Sequence, residues 1–168
     1  MACPRFSRSD APDEANSFPP GTREVTKRLA TDWLAGEPPR SYLGDTLRLT
    51  YAQNTGGFLS LGENLPGVVR TAVFTVATAV ALVALVVLAV RGAANGYRLA
   101  ALTFFVAGGA SNWLDRALRG SVVDFLNVGV GPIRTGVFNV ADMAIMLGMA
   151  LFVVGELVDR RRRPLSAK

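Results

Sequence analysis

The sequence predicts an all-α membrane bundle of three transmembrane helices with a small extracytoplasmic β element. Three observations predict it. Half of the 168 residues are hydrophobic and only 18% are charged, where soluble domains hold about a quarter. Three apolar runs, 71–90, 99–114 and 137–155, carry one charge among them, Asp142. Basic residues gather beyond the ends of those runs, as they do on the cytoplasmic side of membrane proteins.

In chain order, residues 1–22 are rich in Pro, Ser and charge and read as disordered. Residues 23–35 have the spacing of a short amphipathic helix, with Val25, Leu29, Trp33 and Leu34 on its apolar side; Pro38 and Pro39 end it. In 46–62, Leu47, Leu49 and Tyr51 alternate with Arg48, Thr50 and Ala52, a strand signal closed by the turn Asn54-Thr55-Gly56-Gly57. Thr71–Val90 is 20 uncharged residues, the length of a bilayer span. Arg91 and Arg98 bracket a short loop, and the run Leu99–Leu114 ends at Asp115-Arg116. Residues 117–136 are mixed, with Gly129, Gly131 and Pro132 against a helix. The run 137–155 precedes the basic stretch Arg160–Arg163. This divides the chain into a polar N-terminal region (1–40), a membrane domain (41–158) and a basic cytoplasmic tail (159–168). The loop 91–98 is also expected in the cytoplasm, with 41–66 and 117–136 outside. No internal repeat is present.

The sequence pI is near 10.1, but the charge is not spread as a nucleic-acid surface would need. Residues 1–66 carry seven Lys/Arg against eight Asp/Glu, and residues 67–168 carry eleven against five. The excess lies beside apolar runs, so the expected partner is membrane lipid and not nucleic acid. Cys3 is the sole cysteine, so no internal disulfide forms; no apolar segment precedes it, which argues against a lipidated terminus. There is no histidine. That removes Ser-His and Cys-His nucleophiles and the usual zinc sites.

The remaining chemistry rests on carboxylates. Asp142 interrupts an apolar run, where an ionisable group is costly and marks function by default. Asn139 lies three residues before it, on the same face if both are helical. A bare helix cap is the simpler alternative for Asp142. A second group is Asn112, Asp115 and Arg116, at i, i+3 and i+4, preceded by Gly108 and Gly109, whose smallness allows close helix packing. Asp115-Arg116 reads as a local ion pair at a helix end, and Arg116 also offers a fork of donors to a carbonyl, carboxylate or phosphate. Asp124 sits in Val122-Val123-Asp124-Phe125, and alone it would read as a solvated loop residue. Beside Asp142 it completes a pair. Two close carboxyls share one proton, so the charged one activates water and the protonated one assists the carbonyl and leaving nitrogen. Such hydrolysis needs no metal and no cofactor.

Together the segments Tyr51-Ala52-Gln53-Asn54-Thr55-Gly56-Gly57-Phe58, GGASNWLDR (108–116), VVDF (122–125) and FNVAD (138–142) resemble the lipoprotein signal peptidases (signal peptidase II), in order and spacing, across roughly residues 41–158. The resemblance implies a four-helix protein of the bacterial inner membrane with a β-cradle outside. It implies an aspartic endopeptidase that cuts prolipoproteins before a diacylglyceryl-modified cysteine. Asp124 and Asp142 would be the catalytic pair; Asn54, Asn112, Arg116 and Asn139 would line the site; Asp115, pairing near Arg116, and Gly108 and Gly109 would be structural. Globomycin-like cyclic peptides would enter the same pocket.

The family's first membrane helix ends in an Asp followed three and four residues later by Ser/Thr and Lys. Here Thr26-Lys27 follow Arg23, and residues 1–22 are not apolar, so the chain reads as lacking that helix. Two other classes fit part of the pattern. One is a catalytically silent homologue serving as scaffold or partner subunit, which Arg23 favours and the two aspartates disfavour. The other is a small transporter relaying protons through Asp142, which calls for more polar residues within the spans.

Overall fold

The computed structural model describes residues 25–56, 66–91 and 96–162. The segment 1–22 read as disordered, Gly57 and Phe58, residues 92–95 and 163–168 lie outside the described residues.

A short helix α1 (Val25–Leu34) leads into strands β1 (Arg40–Tyr42) and β2 (Leu47–Asn54). Next comes one continuous helix, Gly67–Arg91, built of α2 (Gly67–Thr71), a wider π-helical stretch (Ala72–Ala77) and α3 (Thr78–Arg91). Helix α4 (Gly96–Arg119), strands β3 (Val122–Val130) and β4 (Ile133–Arg134), and helix α5 (Val140–Arg162) complete the chain. Rich in helix but not all-α, the protein carries a four-stranded antiparallel sheet in the order β1-β2-β3-β4. The alternation of Leu47, Leu49 and Tyr51 is the signature of β2, and Val122–Val130, expected only as an irregular segment, is its partner strand. The register sets Ala52 opposite Asp124 and Asn54 opposite Val122, with an irregularity between Leu49 and Ala52.

Among the described residues, two helices have the length and composition to cross a membrane: Gly67–Arg91, 25 residues, and Val140–Arg161, 22 residues. At about 1.5 Å per residue each exceeds the ~30 Å hydrocarbon core. No side chain of α3 is buried within the protein, as a helix facing lipid requires. Helix α4, the third expected span, has 24 residues, but Asn112, Asp115, Arg116 and Arg119 occupy its last turns, and it falls short in apolar length.

Close approach of α4 and α5 depends on glycine. A Cβ on Gly108 would strike the Ala141 carbonyl and the Ile145 side chain, and one on Gly148 would meet the Ala101 carbonyl at 2.9 Å. Gly109 faces the other neighbour, where a Cβ would meet the Leu82 side chain at 2.7 Å. At the far end, Arg98 of α4 bonds Glu156 of α5 at 2.5 Å and lies 3.5 Å from Asp159.

Helix α1 is oriented against expectation. Val25, Leu29 and Trp33 are exposed, and the packed face is Lys27, Ala30, Thr31 and Leu34. Ala30 and Leu34 join Val123, with Leu49, Tyr51 and Phe125 packed against them, in a small core between helix and sheet. Ala30 and Thr31 let the helix lie close on the strands, and Leu34 fills the core beside them. The same rotation carries Lys27 inward.

Candidate active site

Asp124 occupies the third position of β3 and is 2% exposed. It is a buried strand residue, not a solvated loop carboxylate. Asn54, at the end of β2, donates from Nδ2 to Asp124 Oδ2 at 2.9 Å. The same Asn54 accepts the Gly56 N–H at 2.9 Å through Oδ1. That side-chain turn ends the strand and holds the amide toward Asp124.

Asn139 is fully buried and immediately precedes α5. Its Oδ1 accepts the Asp142 N–H at 3.1 Å, and its own N–H donates to Asp142 Oδ2 at 3.1 Å. This is a reciprocal capping arrangement, with the carboxylate in the helix's first turn. The expectation that Asn139 and Asp142 share a helix face is therefore corrected: Asn139 stands outside the helix and caps it. Capping and a site role coexist at Asp142. Its second oxygen, Oδ1, accepts from Asn112 Nδ2 at 2.8 Å.

The two carboxylates meet through Asn139. Its Nδ2 donates to Asp124 Oδ1 at 2.6 Å and to Asn112 Oδ1 at 3.2 Å. Asp124, Asp142, Asn54, Asn112 and Asn139 thus form one buried network supplied by β3, α5, β2, α4 and the residue before α5, in which amides donate to carboxylates or to other amides. Burial pushes the Asp124 carboxyl up to about 6; the Asn54 and Asn139 bonds oppose that, the Asp142 charge adds to it, and Arg116 offsets part of it.

Arg116 lies at the edge of this network. Its Nε and Nη2 both donate to the Gly56 carbonyl, at 3.0 and 2.7 Å, and its guanidinium stands 6.0 Å from the Phe74 ring centroid. It ties α4 to the turn that carries Asn54. It does not pair with Asp115, as the sequence suggested. Asp115 binds Lys27 at 2.9 Å and Arg119 one turn along α4, because i and i+4 share a helix face and i and i+1 do not.

Lys27 is the residue that the sequence reading noted and left without a role. It is fully buried, and its Nζ donates to Asn112 Oδ1 at 2.8 Å and to Ser111 Oγ at 3.1 Å. The spacing of Lys27 with Ala30, Thr31 and Leu34 is a helix-face signal, but a lysine on a face of small residues reads as solvated until the packing is known.

The family described as signal peptidase (SPase) II matches residues 24–158, taking in α1. The lipoprotein signal peptidase of Brevibacillus brevis is 30% identical over 140 residues, covering 83% of this chain and 89% of that one. That of Syntrophomonas wolfei is 34% identical over 148 residues, covering 85% and 93%. A solved bacterial membrane enzyme, determined in meso at 2.3 Å, superposes with a TM-score of 0.70 at 26% identity over 86% of both chains. A second, at 1.9 Å, gives 0.67 at 27% identity over 79% of this chain and 83% of that one. With the family match spanning most of its length and relatives at this identity aligned nearly end to end, the chain belongs to the signal peptidase II family of aspartic endopeptidases.

Proposed function

We propose that Asp124 and Asp142 are the catalytic pair with which this signal peptidase cleaves the signal peptide from lipoprotein precursors, just before a lipid-modified cysteine. The observation that carries the reading is Asn139, whose one side chain is hydrogen-bonded to Asp124 and, through its cap, to Asp142. Two buried carboxylates joined in this way share a proton. The ionised one takes a proton from water as its oxygen attacks the scissile carbonyl. The protonated one gives its proton to the developing oxyanion; as the tetrahedral intermediate collapses, the carboxyl that took the water proton passes it to the leaving nitrogen, and the other recovers its proton from the carbonyl oxygen. Asn54, Asn112, Arg116 and Asn139 line the site in this reading and hold the carboxylates in place. The silent-homologue alternative gains nothing from a network in which both aspartates are buried and linked.

Helix α4 serves as the third span. Its polar last turns then lie at the membrane surface, against the sheet. The dyad is remote from the basic end of the bundle: Arg98 and Asn112 are 14 residues apart, about 21 Å along the helix. By the positive-inside rule the Arg98 end is cytoplasmic and the dyad extracytoplasmic, in a bacterial inner membrane.

The test is prolipoprotein cleavage by Asp124→Asn and Asp142→Asn at equal membrane abundance. Both should be inactive while inserting normally. Cleavage at near wild-type rate by either one sinks the assignment.

A further inference from the structure

We propose that Lys27 is a positioning residue of the dyad: through the Asn112 side chain it aims a hydrogen-bond donor at Asp142 and makes Asp142 the charged member of the pair. The inference rests on the dyad reading above.

A lysine ammonium donates and cannot accept. Lys27 Nζ lies 2.8 Å from one end of the Asn112 side chain, so that end is the oxygen. The other end, the NH2 group, then faces Asp142 Oδ1 at 2.8 Å. Were the amide turned over, its oxygen would face a carboxylate oxygen and its NH2 would face an ammonium, and both contacts would repel. Asn139 Nδ2 favours the same orientation, at a longer 3.2 Å. Lys27 itself cannot swing away. It is fully buried, anchored by the docking of Ala30 and Leu34 on the same helix face, and bonded to Asp115 at 2.9 Å and Ser111 at 3.1 Å.

The second step is charge. The charged and titratable groups around the pair are Lys27 on α1, Asp115, Arg116 and Arg119 on α4, Asp124 on β3 and Asp142 on α5. Asp115 already binds both Lys27 and Arg119. The line of polar contacts from Lys27 leads through Asn112 to Asp142, which also accepts a backbone N–H at a helix N-terminus. Asp124 receives the neutral side-chain amides of Asn54 and Asn139. The asymmetry assigns the negative charge to Asp142 and the shared proton to Asp124.

The rival explanation is that Lys27 merely neutralises Asp115. Two variants of the full chain in detergent separate the roles, with a diacylglyceryl-cysteine peptide as substrate: Lys27→Met, and Lys27→Met combined with Asp115→Asn. The double variant removes both charges of the Lys27–Asp115 pair together, so it reads out even where the single one folds poorly. Under the proposal both lose kcat by roughly ten- to a hundredfold, the scale seen when groups that orient reacting ligands are removed. KM stays within about threefold, because ground-state binding is untouched. The acid limb of the kcat–pH profile moves upward by about one unit. A double variant with wild-type kcat and pH profile overturns the proposal. So does a folded Lys27→Met enzyme with an unmoved profile. Asp142→Asn run alongside separates the layers: if it is inactive and Lys27→Met is normal, only the positioning role fails; if it still cleaves, the dyad reading fails and takes this one with it.

Discussion

Asn139 and Asp142 cap each other: the Asn139 side chain accepts the Asp142 N–H, and the Asp142 side chain accepts the Asn139 N–H, both at 3.1 Å. The same Asn139 amide reaches Asp124 at 2.6 Å. Helix start and the geometry of the proposed dyad are therefore one structure, and a change in one is a change in the other.

Asn139 substitutions should split these roles. Asn139→Ala removes the cap, which costs about 1 kcal/mol, and takes from the buried Asp124 Oδ1 its 2.6 Å donor, worth about 1–3 kcal/mol. We expect a clear loss of thermal stability together with loss of cleavage. Asn139→Asp keeps the capping oxygen but places a third carboxyl against Asp124 and Asn112. It should retain most of the stability near pH 5, where that carboxyl can hold a proton, and fall below wild type near pH 8. Equal melting temperatures for Asn139→Ala and wild type would contradict the capping account.

The Asp124 carboxyl gives a signed pH effect on stability. Its pKa is about 6 in the folded protein against 3.8 as the ordinary value. Between these values the folded state holds the proton that the unfolded state has released. Stability from this group is therefore full below about pH 4, declines as pH rises to about 6, and is flat above. The drop is on the order of 3 kcal/mol at most. Wild type and Asp124→Asn, melted in detergent from pH 4 to 7, should differ in slope, the wild type falling more steeply as pH rises. Parallel curves would mean that Asp124 is already ionised at pH 4.

The sequence carried the spans and the motif residues more legibly than the contacts among them. Long apolar runs and an alternating strand are periodic signals, and both survive in α3, α5 and β2. The site residues were visible because Asp142 is costly where it stands and Asn112 recurs at helical spacing with Asp115. Pairings depend on tertiary approach and were misread. Asp115 chose Lys27, 88 positions away in sequence, over its neighbour Arg116. Helix α1 turned Val25, Leu29 and Trp33 outward because the face that meets the sheet and the site is the one carrying Lys27, Ala30, Thr31 and Leu34. Asn139 became a cap because α5 starts one residue later than the face argument assumed.

The two adjacent glycines of α4 should respond unequally. A Cβ at 108 strikes the carbonyl of Ala141, the residue before Asp142, and backbone cannot yield without moving the helix start. Overpacking of this kind costs typically ~1–3 kcal/mol. A Cβ at 109 meets only the end of the Leu82 side chain, which can change rotamer. Gly108→Ala should lose both stability and cleavage, while Gly109→Ala should keep cleavage within about threefold of wild type, a change of under ~1 kcal/mol. The reverse order, with Gly109→Ala inactive and Gly108→Ala normal, would count against the α4–α5 packing described.

Arg116 supplies the last contrast. Its Nε and Nη2 converge on one acceptor, the Gly56 carbonyl, and Gly56 is itself the donor that turns Asn54 toward Asp124. A guanidinium fork can do this and a lysine cannot, since an ammonium is a shorter point donor on a flexible stem. Two outcomes follow from the two roles open to Arg116. If it holds substrate directly, Arg116→Lys keeps the charge and mostly raises KM. If it acts by fixing the Asn54 turn, Arg116→Lys releases Asn54, and kcat falls as Asp124 loses an oriented partner. The two bonds to Gly56 favour the second, so we expect kcat for Arg116→Lys to fall by about tenfold or more, about 1.4 kcal/mol, with KM changing less. Asn54→Ala should show the same kcat loss, and the double variant should lose little more than either one alone, because both changes act through one contact chain. Additive losses in the double variant would return Arg116 to a direct role in holding substrate.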